Sequence, residues 1–98
     1  MAKYFALHTL KKSGEEVSDA LNAGAAEMAK AMASGQTPAR CVKTWSPIPH
    51  GREDYSFCVW EADSENDVKS TIESFGLLEY FTLDAMQVDE IDWAELAK

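Results

Sequence analysis

The sequence is poor in cysteine and contains no long apolar run. Two cysteines among 98 residues are too few for a disulfide-stabilised secreted scaffold, and neither lies in a Cys-x-x-Cys motif. No apolar run approaches the ~18–20 residues that span a bilayer. The amino-terminal segment does not resemble a signal peptide, because Lys3 is followed by a short alternating segment. These absences favour a protein of the reducing cytoplasm.

Basic side chains are also scarce. The chain has nine Lys and Arg against 17 Asp and Glu, a net charge of -8. Nucleic acids and anionic membranes are bound by basic faces, so neither is expected as a partner. Residues 1–52 carry seven basic and four acidic side chains, whereas residues 53–98 carry two and 13. The acidic half either keeps the protein in solution or attracts cations and basic partners.

Glycine, proline and capping residues divide the chain into strands and helices. Alternating, β-rich segments predict strands over 4–10, 40–46, 55–61 and 81–88. Ser13 and Glu16 form a capping box, after which an apolar stripe predicts a helix that ends at Gly35. Ser64 starts a second, short helix that ends at Gly76, and Asp92 caps a final helical turn. The order βαββαβ predicts one α+β, ferredoxin-like domain over residues 1–98. Its four-stranded antiparallel sheet has the first strand between the third and fourth, and both helices cover one face.

The strand residues separate into two sets by alternation. One set is bulky and apolar, and we expect it to face the helices: Phe5, Leu7, Phe57, Val59, Phe81, Leu83 and Ala85. The other set is mixed, and we expect it on the open face: Tyr4, Ala6, His8, Ser56, Cys58, Trp60, Thr82, Asp84, Met86 and Val88, with Trp45 from the second strand. Such a face is too apolar for water and too polar for a dry core. We therefore predict a homodimer whose two sheets face each other around a small cavity. A monomer with a somewhat hydrophobic sheet face is the alternative.

The order of elements resembles the dimeric α+β barrel superfamily, which includes small cofactor-free monooxygenases of antibiotic biosynthesis and muconolactone isomerase-like proteins. Segments 40–45 (RCVKTW), 57–61 (FCVWE) and 78–88 are similar to a bacterial domain family of unknown function within that superfamily. The resemblance implies the barrel fold and a dimer. It carries no agreed activity, and the loop over residues 46–54 is longer than in that family.

His8 is the leading candidate for a catalytic residue. A register that keeps both apolar sets inward places it near Asp84, whose carboxylate would orient the imidazole as a general base. The alternative is a His–Asp hydrogen bond that only satisfies two polar groups at an interface. The predicted ligand-binding residues are those of the mixed face with aromatic rings or sulfur: Tyr4, Trp45, Cys58, Trp60 and Met86.

Other chemistry is weakly indicated. Cys41 and Cys58 lie on two arms of one hairpin, but the Pro-rich loop between them leaves open whether they share a face. No metal-ligand spacing is recognisable, although His8, Asp84 and Cys58 would form a site if they converged. No motif requires a cofactor. Three hypotheses follow: a homodimer that binds a small ligand, a cofactor-free oxygenase or isomerase with His8 as base, and a metal-binding domain.

Overall fold

A computed structural model describes all 98 residues. The strands are β1 (Ala2–Thr9), β2 (Ala39–Trp45), β3 (Tyr55–Ala62) and β4 (Asp84–Gln87). The helices are α1 (Gly14–Ala33), α2 (Glu65–Ser74) and a short α3 (Trp93–Leu96), with 3-10 turns at Ile48–His50 and Leu77–Glu79. The antiparallel sheet has the order β2-β3-β1-β4. The predicted fold class and strand order are therefore confirmed.

The helices begin and end where the sequence predicts. Ser13 Oγ accepts from Glu16 N at 3.2 Å, and Ser64 Oγ accepts from Asp67 N at 3.2 Å. The carboxylate of Glu16 accepts from the Ser13 hydroxyl at 3.1 Å instead of reaching a backbone N–H, so the capping box is only half formed. Gly35 and Gly76 follow the helices with φ of 77° and 74°, a conformation that side chains with a Cβ rarely adopt.

The assignment of the two sheet faces for β1 and β3 was wrong. The residues buried under the helices include Tyr4, Ala6 and His8 of β1, and Ser56, Cys58 and Trp60 of β3. The reason is packing: alanines lie in phase with these residues, and their small side chains allow α2 to approach closely. Four such alanines are almost fully buried in the four strands: Ala6, Ala39, Ala62 and Ala85.

The open face therefore carries the bulky apolar set. Phe5 and Phe57 form an edge-to-face pair there with ring centroids 5.9 Å apart. Trp45 lies opposite Phe57, and Met86 lies opposite Phe5. Trp45 is 50% exposed and Met86 is 49% exposed. We call the surface of Phe5, Leu7, Trp45, Phe57, Val59 and Met86 the open apolar face.

Two peripheral regions differ from expectation. The fourth strand is shorter than predicted, because between residues 81 and 83 only one isolated bridge, Leu10 to Phe81, continues the ladder. The long loop before β3 is fixed to the amino end of α1, where Glu53 Oε1 accepts from Gly14 N at 3.0 Å. None of the helices has the length and apolar character needed to cross a bilayer.

Candidate functional site: a cavity between helix α1 and the sheet

A cavity of about 250 Å³ lies between the helix-covered face of the sheet and the helices. Its wall is mostly apolar and holds neither a carboxylate nor a Lys or Arg. The lining residues are His8, Leu21, Ala25, Met28, Ala29, Met32, Cys41, Thr44, Ser56, Cys58, Trp60, Ile72, Phe75, Leu77 and Phe81. A concave, apolar site with a few polar groups is typical of small-molecule binding.

The cavity exists because the two long helices pack differently. The ten residues of α2 bury Val68, Thr71 and Ile72, whereas the twenty residues of α1 bury only Gly14 and Val17 at its first turn. The rest of the α1 stripe faces the cavity through Leu21, Ala25, Met28 and Met32. The sequence predicted this stripe correctly, but the stripe forms a roof over the cavity and does not fill it.

His8 lies on the cavity wall and is 2% exposed. Its Nδ1 donates to the Thr82 carbonyl oxygen at 3.1 Å, and its ring packs on Phe81 with centroids 4.4 Å apart. Because a carbonyl can only accept, this bond fixes the proton on Nδ1 and leaves the Nε2 lone pair without a partner in the chain. Burial lowers the pKa of His8 below its ordinary value, and the bond to Thr82 opposes that shift only partly.

The predicted pairing of His8 with Asp84 is wrong. Asp84 lies opposite Leu7, and Ala6 lies opposite Ala85, so the Asp84 side chain is exposed on the other face. The buried Ala6–Ala85 pair sets which side chains of β4 face the helices, because successive side chains of a strand alternate between the two faces. Because Asp84 lies on the opposite face from His8 and Cys58, these three residues do not converge as metal ligands. No three His, Cys, Asp or Glu side chains converge anywhere in the chain.

Trp60 supplies a second polar group. It is 4% exposed and lines the cavity, and its Nε1 is the one buried side-chain nitrogen or oxygen in the protein that makes no hydrogen bond of normal geometry. The indole N–H still lies close enough to the Cys58 thiol to lower its pKa, against the larger effects that raise it. An unsatisfied buried donor costs about 1–3 kcal/mol. A ligand atom that accepts from Nε1 would recover that cost.

Two thiols and a hydroxyl form a cluster on the same wall. A β-bulge between Cys41 and Lys43 shifts the register, so that Cys41 lies opposite Trp60 while Thr44 lies opposite Cys58. All four side chains consequently share the helix-covered face. Thr44 Oγ1 lies 3.5 Å from Cys41 Sγ and 3.2 Å from Cys58 Sγ. The bulge settles what the Pro-rich loop left open.

The two thiols differ in acidity. A hydrogen bond from the Cys58 thiol lowers the pKa of Cys41 to about 7, with smaller contributions from the Thr44 hydroxyl and a backbone hydrogen bond at Lys43, while burial opposes the shift. The same interaction and burial raise the pKa of Cys58, so it keeps its proton. Near neutral pH the pair therefore favours a negative charge on Cys41 over one on Cys58. Cys41 is half-buried, whereas Cys58 is buried.

The predicted ligand-binding residues divide between the two faces. Cys58 and Trp60 line the cavity with His8, whereas Tyr4 is buried on the same face outside its wall. Trp45 and Met86 belong to the open apolar face. Sequence reasoning missed Thr44, Ser56 and the sulfur-bearing Met28, Met32 and Cys41 as wall residues. The phase of the strand alanines was the signal that could have revealed the correct face.

No protein-family model and no curated protein matches this chain. Two of the similar solved structures show the range of functions that this fold carries. One is SnoaB, a cofactor-independent oxygenase from Streptomyces nogalater, with a TM-score of 0.51 and 10% identity over 93% of each chain. The chain has the ferredoxin-like α+β fold of SnoaB. The other is a REP-associated tyrosine transposase bound to a REP hairpin, with a TM-score of 0.52 and 11% identity over 98% of this chain and 61% of that one. One fold thus serves unrelated functions, so function has to be argued from the site.

Proposed function

We propose that this protein binds a small, mostly apolar ligand that carries a hydrogen-bond acceptor in the cavity between α1 and the sheet. The observation that carries the proposal is a mostly apolar cavity whose wall includes Trp60, the residue that holds the one buried donor, Nε1, without a hydrogen bond of normal geometry. An acceptor on the ligand, such as a ketone oxygen, would satisfy that donor, while the ligand's ring would contact Leu21, Met28 and Phe75.

Acetophenone is a suitable probe, because it joins a flat ring to one acceptor. In ¹⁵N-labelled protein we expect acetophenone to shift the indole N–H resonance of Trp60. The indole resonance of Trp93, which is 75% exposed, serves as the internal control. Resonances are assigned with Trp60→Phe and Trp93→Phe. A Trp60 resonance that stays fixed at saturating ketone would contradict the proposal.

A second candidate function is a cofactor-independent oxygenase or isomerase in which His8 is the base. The favouring observation is that Nδ1 is held by Thr82 while Nε2 is free on the cavity wall. Burial keeps the imidazole neutral, so it is ready to take a proton next to a carbonyl or from a phenol. The fold likeness to SnoaB is compatible with this chemistry.

The base is tested by exchange of the acetophenone methyl protons in D₂O, followed by NMR. We expect the protein to accelerate exchange and His8→Asn to abolish the acceleration. Asparagine can still donate to the Thr82 carbonyl, so the fold is retained. His50→Asn, at the exposed second histidine, is the matched control. If His8→Asn exchanges at the wild-type rate, the base assignment fails.

We also propose that two copies pair through the open apolar face. This surface exposes about half of Trp45 and Met86 beside the partly buried, edge-to-face Phe5–Phe57 pair. A two-fold axis would bury the same patch on both copies. The cavity then belongs to each chain singly and lies on the opposite side of the sheet from the interface. This differs from the predicted cavity between two sheets.

Phe57→Glu tests the homodimer by sedimentation velocity. We expect monomers, because two carboxylates would be forced into one apolar interface. Ala23→Glu, which places the same charge on the exposed side of α1, should leave the dimer intact. A Phe57→Glu protein that sediments as a dimer would locate the interface elsewhere.

A further inference from the structure

The cavity wall holds a nucleophile, Cys41, and a donor-bearing side chain, Trp60, at neighbouring positions of two strands. Cys41 lies directly opposite Trp60 in the β2–β3 register. Residues opposite each other on one face have Cβ atoms about 4.5–5.5 Å apart. Thr44 links the two thiols from between them, and Cys41 is the less buried of the pair. The binding function leaves Cys41 without a role.

We propose that Cys41 is a nucleophile that forms a thioether with small, apolar α,β-unsaturated carbonyl compounds in the cavity, with Trp60 Nε1 donating to the carbonyl oxygen. The proposal rests on the proposed ligand-binding function and names its ligand class. Soft, polarisable electrophiles suit a wall that carries the sulfur atoms of Met28, Met32, Cys41 and Cys58. The wall contains no Asp, Glu, Lys or Arg side chain that would favour an ionic substrate.

The reaction balances without an oxidant. The Cys41 thiolate attacks the β-carbon, forming a C–S bond while the C=C π electrons move to an enolate whose charge lies on oxygen. Trp60 Nε1 donates to that oxygen as the charge develops, which is the role of an oxyanion-hole donor. The α-carbon then takes the proton of the Cys58 thiol, and water returns a proton to Cys58. The net change is addition of S–H across the double bond.

2-Cyclohexen-1-one is the test electrophile, and intact and peptide mass spectrometry give the rate and site. We expect one adduct at Cys41 and none in Cys41→Ala. Trp60→Phe should slow this addition by about 100-fold, the cost of losing one oxyanion donor in other enzymes. Iodoacetamide is the matched reagent, because its displacement reaction builds no charge on a carbonyl oxygen. Its rate at Cys41 should be unchanged in Trp60→Phe.

The saturated ketone cyclohexanone separates the two proposals, because it can occupy the cavity but cannot add. If it fails to protect Cys41 from either reagent, the binding function is wrong. Suppose that cyclohexanone protects Cys41 but that Trp60→Phe slows the reactions with both reagents equally. The substitution has then disturbed the cavity wall in general, and the donor role of Trp60 is overturned. An adduct at Cys58 in place of Cys41 would overturn the assignment of the nucleophile.

Removing Cys58 gives an independent readout. His8 and Cys58 are the titratable groups that share the cavity wall with Cys41, while α1 and α2 present only apolar side chains there. The pH midpoint of Cys41 alkylation should rise from about 7 toward 9 in Cys58→Ala, because the largest stabilising hydrogen bond on the thiolate is lost. His8→Asn should move it far less. An unmoved midpoint in Cys58→Ala would mean that the thiols do not act as a pair.

Discussion

The two faces of the sheet differ in a way that runs against simple hydrophobic sorting. The face under the helices carries alanines, a histidine, a serine and a cysteine, whereas the open face carries phenylalanine, leucine and valine. Small residues under α2 allow close packing. Under α1 the same small and polar residues leave a cavity. The larger apolar side chains lie on the open face, where the chain buries them only partly.

The two faces of the sheet therefore contribute different things: the covered face holds the cavity, and the open face presents an apolar surface. The covered face combines fully buried residues such as Ala6 and Ala62 with a cavity beside His8 and Trp60. The open face contributes area without specific polar chemistry. Site mutations and assembly mutations should therefore separate cleanly, even at adjacent positions of one strand.

The largest effect should come from one charge placed on either face of β3. Cys58→Asp buries a carboxylate with no cationic partner and should lower the free energy of unfolding by about 3–5 kcal/mol, as other uncompensated buried charges do. Val59→Asp is the matched variant, because it sits on the open apolar face and is only half-buried. It should cost far less in urea unfolding, measured on dilute protein. Equal losses for the two variants would refute the face assignment.

A smaller effect should follow from enlarging a residue under α2. Ala6 is fully buried and is not part of the cavity wall, so Ala6→Leu overpacks the core and should cost about 1–3 kcal/mol. Leu7→Ile, at the next position on the open face, keeps volume and should cost less. Thermal unfolding of both proteins makes the comparison. A stable Ala6→Leu protein would show that α2 packs more loosely than the structure indicates.

The sequence was sufficient for the fold, because the elements depend on local signals. Ser13, Ser64, Gly35 and Gly76 mark helix ends through bonds and backbone angles that involve only nearby residues. Strand order followed from handedness rules. The dimeric α+β barrel resemblance agrees with this fold, while the likeness to one bacterial domain family stays a prediction.

The candidate site was only partly predictable, because it depends on side-chain parity. Alternation places residues in two sets but does not say which set the helices cover, and volume alone favoured Phe5 over Ala6. Of the residues predicted for the site, His8, Cys58 and Trp60 line the cavity, although their sheet face was misassigned. Asp84 lies on the open face, as the alternation of β4 predicted, and the pair separated because His8 lies on the helix-covered face. The bulge that brings Cys41 and Thr44 onto one face has no signature that the sequence analysis used.

A pH effect should distinguish the buried histidine from the exposed one. Because the pKa of His8 in the folded protein lies below 6.5, the unfolded chain takes up a proton first as the pH falls. The stability that neutral His8 contributes is thus complete above pH 6.5 and is lost as the pH falls through the folded pKa. Urea unfolding from about pH 8 to about pH 5 should show a shallower loss in His8→Asn than in the wild type.

His50→Asn is the control for that curve, because His50 is exposed in the loop before β3. It should reproduce the wild-type slope. A His8→Asn curve that parallels the wild type would mean that the imidazole is charged or solvated in the folded protein. The base role proposed for Nε2 would then lose its physical support.

The smallest effect concerns the rim of the open apolar face. Arg40 pairs with Glu61 across β2 and β3, and this guanidinium holds the pKa of the Glu61 carboxyl below its usual value. Since the pair is exposed in a single chain, Glu61→Gln should leave the melting temperature of a monomeric Phe57→Glu background unchanged. If Glu61→Gln lowers the melting temperature measurably in the otherwise wild-type protein, a second copy covers this rim. An ion pair that is shielded from water contributes more to stability. An equal, negligible change in both backgrounds would place the rim outside any interface.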